Sequence, residues 1–294
     1  MATTNPIKNR IKELKSEYDQ LRQGKESLLK IIDESELSES VFNSNAIENS
    51  TLTLKETERI LLNLEVSRNV SVREVFEAKN LARVMEYIRT KAMATELTKE
   101  MILTLHKMLI TNINDAIAGR FRAAGEYVRV GTHIAPAPEQ VEKMVKGLLL
   151  EYSSGQDYYF VDRIAKFHLG FETIHPFYDG NGRIGRVAMN YQLTRLGFPV
   201  IILRDKEKDI YYKSFGEYSD AKNTKTMEKI ITLALVESLH KRTAYLRGET
   251  IILLSEYAKT RKQSIHTLIN SARRQTIPAF REKGVWKTGA DYKK

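Results

Sequence analysis

The sequence predicts a mainly α fold: a helical bundle that carries one short β-hairpin and ends in a small basic domain. Three observations predict it. Apolar residues recur at steps of three and four through most of the chain. One internal segment alone switches to strict alternation. Cysteine is absent, which leaves packing to hold the fold and excludes disulfides, thiolate metal sites and a cysteine nucleophile.

The elements follow in order. Ile7, Ile11, Leu14, Tyr18, Leu21, Leu28 and Ile32 form one apolar stripe, interrupted at Gly24 and Lys25; it reads as a packed helical arm, with a coiled-coil partner surface as the alternative. Helical spacing then predicts helices over 72–90, 99–110, 138–152, 160–174, 184–196 and 227–246. Between Phe121 and Ile134 the run Glu126, Tyr127, Val128, Arg129, Val130 alternates, bracketed by Gly125 and Gly131, and predicts a short hairpin on the helical body. The 294 residues divide into N-terminal helices (1–95), a core (96–246) and a tail (248–294) expected to carry its own small core. No run approaches about 18 uncharged apolar residues, and the first residues lack the apolar stretch of a signal peptide. The expectation is a soluble, cytoplasmic protein with no membrane partner. The net charge of +10 is concentrated at one end: from Lys241 to Lys294 thirteen Lys and Arg face four Asp and Glu, a surplus of nine. An acidic partner is implied for that tail.

The segment from His175 to Arg186 carries the chemistry. Pro176 ends the helix that places Ile164, Phe167, Phe171 and Ile174 on one face. The turn Gly180-Asn181-Gly182 then opens the next helix, whose stripe begins at Ile184 and Val187. Glycines before a helix let backbone N–H groups approach an anion, and the helix dipole adds to the attraction. Arg183 and Arg186 supply two guanidinium forks beside that site, Asp179 a hard oxygen for Mg²⁺, and His175 a base titrating near neutrality. Each part alone has an ordinary structural reading: a turn, a helix-end histidine, a solvated arginine pair. Their occurrence together in twelve residues points to a polyphosphate site.

The residues His175-Pro-Phe-Tyr-Asp179-Gly-Asn-Gly-Arg183-Ile-Gly-Arg186 resemble the signature of Fic-domain AMP transferases, His-Pro-Phe-x-(Asp/Glu)-Gly-Asn-Gly-Arg-x-x-Arg. Upstream, Gly119-Arg-Phe-Arg122, Val128 to Ile134 and Pro136 resemble the family's flap hairpin, and Tyr211-Tyr212 its adenine-lining pair; near Ser219 the family's asparagine is missing. The resemblance implies a Fic fold over roughly 40–245 and a protein adenylyltransferase that uses ATP as substrate with Mg²⁺. It implies that His175 deprotonates the attacking hydroxyl and that Asp179 holds Mg²⁺. Gly180, Asn181 and Gly182 would steady the α-phosphate, and Arg183 and Arg186, with Ile184 and Gly185 between them, the β and γ phosphates. The flap residues Val128, Arg129, Val130 and Gly131 would lie over the nucleotide and offer a strand edge to a target protein presenting a Ser, Thr or Tyr hydroxyl. His133 reads as a surface residue rather than a second base. Ser44-Asn-Ala-Ile-Glu48-Asn49 resembles the family's inhibitory motif, (Ser/Thr)-x-x-x-Glu-(Gly/Asn), on a helix expected at about 36–49. It implies that Glu48 pairs with Arg186 and silences transfer. Some members of the family also remove AMP.

In the tail, the apolar residues Ile251 to Ala258 predict a helix and 264–274 a second. Ile277 to Lys287 reads as a hairpin turning near Lys283 and Gly284, with Phe280 and Trp286 inward. The run resembles excisionase-like winged-helix modules. That resemblance implies DNA as a partner of 248–294, with Ser264, His266, Thr267 and Asn270 toward the major groove and Arg273, Arg274, Lys283 and Lys287 on phosphates. The alternatives are docking of a protein target and a homodimer. A regulator that binds DNA and merely senses nucleotide through its Fic domain is the competing function.

Overall fold

In a computed structural model, residues 3–64, 69–130 and 133–292 are described. The N-terminal arm is two helices, α1 (Asn5–Leu21) and α2 (Glu26–Ile47). Gly24 makes the break, at φ 70°, a backbone that a residue with a Cβ adopts only under strain. After α3 (Leu54–Leu61) come α4 (Val72–Lys91) and α5 (Lys99–Ile110). Thr53 starts α3 with a reciprocal capping box to Glu56, and Ser71 and Thr98 cap α4 and α5. The hairpin β1 (Arg129–Val130) and β2 (His133–Ile134) follows, then α6 (Pro138–Ser154), α7 (Phe160–Ile174) and α8 (Asn181–Arg195). Paired strand is therefore shorter than the alternating run: Glu126 and Tyr127 lie outside the ladder, which pairs Arg129 with Ile134 and Val130 with His133.

Helices α7 and α8 are central because they bury opposite faces in two cores. Phe167, Phe171 and Ile174 of α7, with Ile184, Val187 and Tyr191 of α8, pack against α4, α5 and α6. Ile164, Ala165 and Leu169, with Met189 and Leu193, pack against α1, α9 (Lys208–Ala221) and α10 (Lys225–Leu246). Helix α8 is buried from Arg183 through Leu193, which explains its weak one-sided pattern in sequence. Truncating a side chain such as the fully buried Phe171 to alanine would cost about 3–5 kcal/mol. The turn between α7 and α8 is thus held at both ends by the best-packed part of the molecule.

The tail folds as β3 (Ile251–Leu253), α11 (Leu254–Thr260), α12 (Ile265–Arg273), β4 (Ala279–Glu282) and β5 (Val285–Gly289), with strand order β3-β5-β4. Ile251 to Leu253, expected as helix, form a strand: the branched pair Ile251-Ile252 suits the pleated edge of β5, and helix begins only at Leu254. Lys283 and Gly284, both at positive φ, make the hairpin turn. Leu254, Tyr257, Ala258, Leu268, Ala272, Ile277 and Ala279 form a separate small core. β4 nevertheless packs on α10, where Phe280 is fully buried beside Tyr245. No described helix is long and apolar enough to cross a membrane.

Candidate active site

His175 closes α7 in the left-handed conformation (φ 49°, ψ 62°), which swings its side chain out of the helical path. Its Nδ1 lies 3.2 Å from the Glu172 carbonyl oxygen. A carbonyl only accepts, so Nδ1 carries the proton and the lone pair stays on Nε2, the tautomer a general base requires. Arg122, buried in the core, fixes the chain around it: its Nε donates to the His175 carbonyl (2.8 Å) and its other nitrogens to the carbonyls of Glu126, Pro136 and Ile174. One guanidinium thereby joins both ends of the flap to the loop that begins at His175.

The loop is braced from within. Asn181 accepts from the Phe177 N–H (2.7 Å) and donates to the Phe177 carbonyl (2.8 Å), closing a ring across the turn. His106 stacks on Phe177 with ring centroids 3.7 Å apart. The Gly119 N–H donates to His106 Nδ1, so its Nε2–H donates to the Asp179 carbonyl at 3.0 Å. Burial lowers the His106 pKa to about 4, keeping this strut neutral. Gly180, at φ 83°, caps α8 and aims its first N–H groups into the turn.

Six charged side chains among the described residues converge on that helix start. Arg183 pairs with Asp179 and Glu77, each at 3.1 Å. Asp179 also pairs with Arg73; burial would raise its pKa, but the two arginines hold it below the usual value, so it is ionised. Arg186 donates to Ser44 Oγ (3.0 Å), the Ser44 carbonyl (2.8 Å), Glu48 Oε1 (2.8 Å) and the Tyr211 hydroxyl (3.3 Å). The two arginines, three apart in sequence, thus reach different neighbours rather than one solvated face. Glu48 caps the end of α2 and lies over the first turn of α8: a Cβ built on Gly182 would meet its Oε1 at 2.1 Å. A carboxylate therefore occupies the anion position at this helix start. A Cβ on Gly185 would meet the Glu172 carboxylate at 2.3 Å and the His168 ring at 3.0 Å, so that helix pair can approach only through glycine.

Tyr211 is buried and shares a hydrogen bond with His168 Nε2 (2.8 Å), whereas Tyr212 is 40% exposed and donates to the Ile47 carbonyl (2.8 Å). Both therefore stand beside Glu48 and Arg186. In the flap, Tyr127 and Ile134 are exposed, and Ala135 N–H donates to the Val128 carbonyl. Gly131 lies outside the described residues; Val130 and His133 are placed by their strand pairing. Sequence reading passed over Arg73, Glu77, His106 and Glu172. Glu172, one turn before His175 on a buried helix face, had a usable signal in its spacing; the other three come from helices far away in sequence.

Residues 96–193, which contain the flap, His175 and the whole loop, match the model of the Fic/DOC family. They form a Fic domain. Protein adenylyltransferase Fic of Nematostella vectensis is 30% identical over 226 residues, 76% of this chain and 51% of that one. Its namesake in Drosophila willistoni is 32% identical over 177 residues, 58% of this chain and 35% of that one. The chain thus spans about a third to a half of these curated relatives. A solved Fic-domain-containing signaling protein from Bacteroides thetaiotaomicron has TM-score 0.73 at 27% identity, over 82% of this chain and 97% of that one. A Fic family protein from Desulfovibrio desulfuricans, 19% identical, shares the fold over 99% of this chain and 98% of its own at TM-score 0.65, tail included. Glu48, Tyr211 and Tyr212 lie outside the matched Fic-domain residues, so their place in the site rests on geometry.

Proposed function

We propose that the chain is an ATP-dependent protein adenylyltransferase, the activity named for the relatives above. The observation that carries the proposal is the joint placement of His175 Nε2 as the lone-pair nitrogen and the Gly180–Arg186 helix start as an anion cradle. His175 takes the proton of a Ser, Thr or Tyr hydroxyl on a target protein aligned along the flap. The hydroxyl oxygen forms a bond to the α-phosphorus, the bond from that phosphorus to the β-phosphate bridge breaks, and pyrophosphate leaves with the electron pair. Positioning and charge stabilisation carry such a transfer. Asp179, ionised and partly exposed, fits Mg²⁺, which commonly takes one or two carboxylates and completes its shell with phosphate and water. When bound, the ion would neutralise charge on the phosphates; Asp179 must first give up Arg73 or Arg183. Incubation with ATP labelled at the α-phosphate should label protein, and label at the γ-phosphate should not transfer. His175→Ala should abolish labelling while ATP binding persists; retained labelling would place the base elsewhere.

Glu48 makes the resting state silent in this reading. It holds Arg186 and fills the anion position over Gly182, so ATP cannot seat its terminal phosphates there. Removal of AMP by the same site would be hydrolysis and not reversal: a water oriented by Glu48 attacks the phosphorus of the AMP ester, and the target's hydroxyl oxygen leaves with the bond's electron pair and takes a proton from His175.

A second reading concerns the tail. Lys259, Arg261, Lys262, Arg273 and Arg274 are exposed around α11 and α12, together with Ser264, His266, Thr267 and Asn270. Arg281, Lys283 and Lys287 are engaged with Glu237, Glu58 and Glu282. Duplex DNA would accordingly meet the α12 face rather than the hairpin. Binding that weakens steeply with salt supports DNA; salt-insensitive binding, or none, removes it.

A further inference from the structure

Glu172 is a buried ionisable group beside His175 that the transfer chemistry leaves unused. It sits one turn before His175 on α7, its side chain 6% exposed, with Oε2 3.9 Å from His175 Nδ1. Its other oxygen, Oε1, makes no hydrogen bond and stands 2.3 Å from where a Cβ on residue 185 would lie. An unsatisfied carboxyl oxygen in the core is costly, and glycine at 185 removes the one side chain that would exclude it. The groups facing it are His168 and His175 from α7, Arg186 from α8, Glu48 from the end of α2, and Tyr211 and Tyr212 from α9. Burial first, then the charge of Glu48, pushes its pKa up to about 8, with Arg186 working against both. His168 is no proton donor to it: burial and then Arg186 hold that ring near a pKa of about 3.

We propose that Glu172 is a positioning residue for His175, whose carboxyl sets the ring's basicity through Nδ1. The inference rests on His175 being the base. The Glu172 carbonyl fixes which nitrogen carries the proton. The carboxyl then acts on the charge that ring acquires. When Nε2 accepts the hydroxyl proton, the imidazolium is stabilised by a carboxylate 3.9 Å from Nδ1 and gains little from a neutral carboxyl. Glu48 in place favours the neutral carboxyl; its withdrawal favours the carboxylate. Release of Glu48 therefore opens the cradle and strengthens the base together.

The test compares Glu172→Gln with its parent in full-length Glu48→Gly protein. Glutamine keeps the volume and removes the charge. The expected result is a fall of about tenfold in kcat with KM for ATP within about twofold, because the carboxyl acts on the base and not on the phosphates. The pH–rate profile should simplify from two coupled ionisations near neutrality to one. The imidazole resonance of His175 should titrate about one pH unit lower in the variant. Unchanged kcat, profile and His175 titration would overturn the proposal. If the variant does not fold, the wild-type chain supplies a second measurement: with ¹³C-labelled Glu and His, the Glu172 carboxyl and the His175 ring should share both titration midpoints, and independent titration overturns the proposal. The resonances are read without transfer, so a chain that labels no protein would sink the AMP-transfer reading and leave this test standing.

Discussion

Replacing Glu48 by glycine separates two quantities that usually move together. The substitution removes the 2.8 Å charge-assisted bond to Arg186 and the carboxylate over Gly182, but it leaves Arg186 bonded to Ser44 Oγ and the Ser44 carbonyl. The arginine therefore stays aimed at the cradle. A hydrogen bond to a charged group contributes about 1.5–3 kcal/mol. Because the Glu48 side chain is 37% exposed, solvent screening brings this to about 1–2 kcal/mol. At about 1.4 kcal/mol per tenfold, ATP in the productive pose should rise by roughly 5- to 30-fold. Stability moves the other way, and for a chain of 294 residues the thermal midpoint should fall by about 2–3 °C. The assay is self-labelling from ATP labelled at the α-phosphate, at matched nucleotide and Mg²⁺, beside a melting curve. Glu48→Gln, which keeps a neutral hydrogen bond, should fall between. Equal labelling by wild type and Glu48→Gly would refute the inhibitory role, and a labelling increase without loss of stability would refute the ion pair as its cause.

Acid should unfold the chain early. His106, His168 and His240 are buried with pKa values lowered by burial to about 4, 3 and 4. Each folded value lies below the unfolded one near 6.5, so their contribution is present above pH 6.5 and is lost as pH falls, at up to about 1.4 kcal/mol per pH unit apiece. Glu172, raised to about 8, has the opposite slope between about 4.5 and 8, and one proton opposes three below pH 6.5. The thermal midpoint should therefore drop between pH 6.5 and 4.5, and a flat profile would contradict neutral burial of the histidines. Deleting residues 248–294 should lower the thermal midpoint by about 5 °C or more, since it strips Arg281 from buried Glu237 and two N–H donors from buried Glu39. An unchanged midpoint would show the tail to be a separable domain.

The loop from His175 to Arg186 was legible because its requirements are local. A helix stop, a glycine turn and two arginines within twelve residues leave few readings, and the helices that hold the turn announce themselves by spacing. The α7 stripe of Ile164, Phe167, Phe171 and Ile174 was readable, but it splits between two cores, and a single-stripe reading cannot supply the second face. The Glu48–Arg186 contact, 138 residues apart, was reachable only through resemblance; nothing in the spacing of α2 distinguishes Glu48 from a solvated charge. Arg73 and Glu77 were not legible at all, since their one-turn spacing on α4 is that of an ordinary exposed pair and their partners lie about a hundred residues on. Charge counting misjudged the tail for a related reason. Its surplus of nine suggested one basic surface, yet Lys241 and Arg242 are spent on Glu36 of α2, Arg281 on Glu237 of α10, Lys283 on Glu58 of α3 and Lys287 on Glu282 of the tail itself.

Where those pairs fall matters to the site. Glu39, 4% exposed in α2, accepts from the N–H groups of Lys283 (2.9 Å) and Gly284 (3.0 Å) at the hairpin turn and pairs with Arg204. Arg204 in turn bonds Glu237 of α10 at 3.0 Å, and Glu237 holds Arg281 of β4 at 2.7 Å. Asn43, one turn after Glu39, accepts from the Asp205 N–H at 3.0 Å. Ser44 follows immediately, and Glu48 closes the helix on Arg186. The segment that occupies the anion cradle is therefore tied one to two turns upstream to the tail and to the chain entering α9. Buried ion pairs of this kind add little net stability over apolar packing, but losing one partner is costly, so they fix position more than they add strength. The register of α2, and with it the seat of Glu48, is consequently set by contacts outside the Fic domain itself.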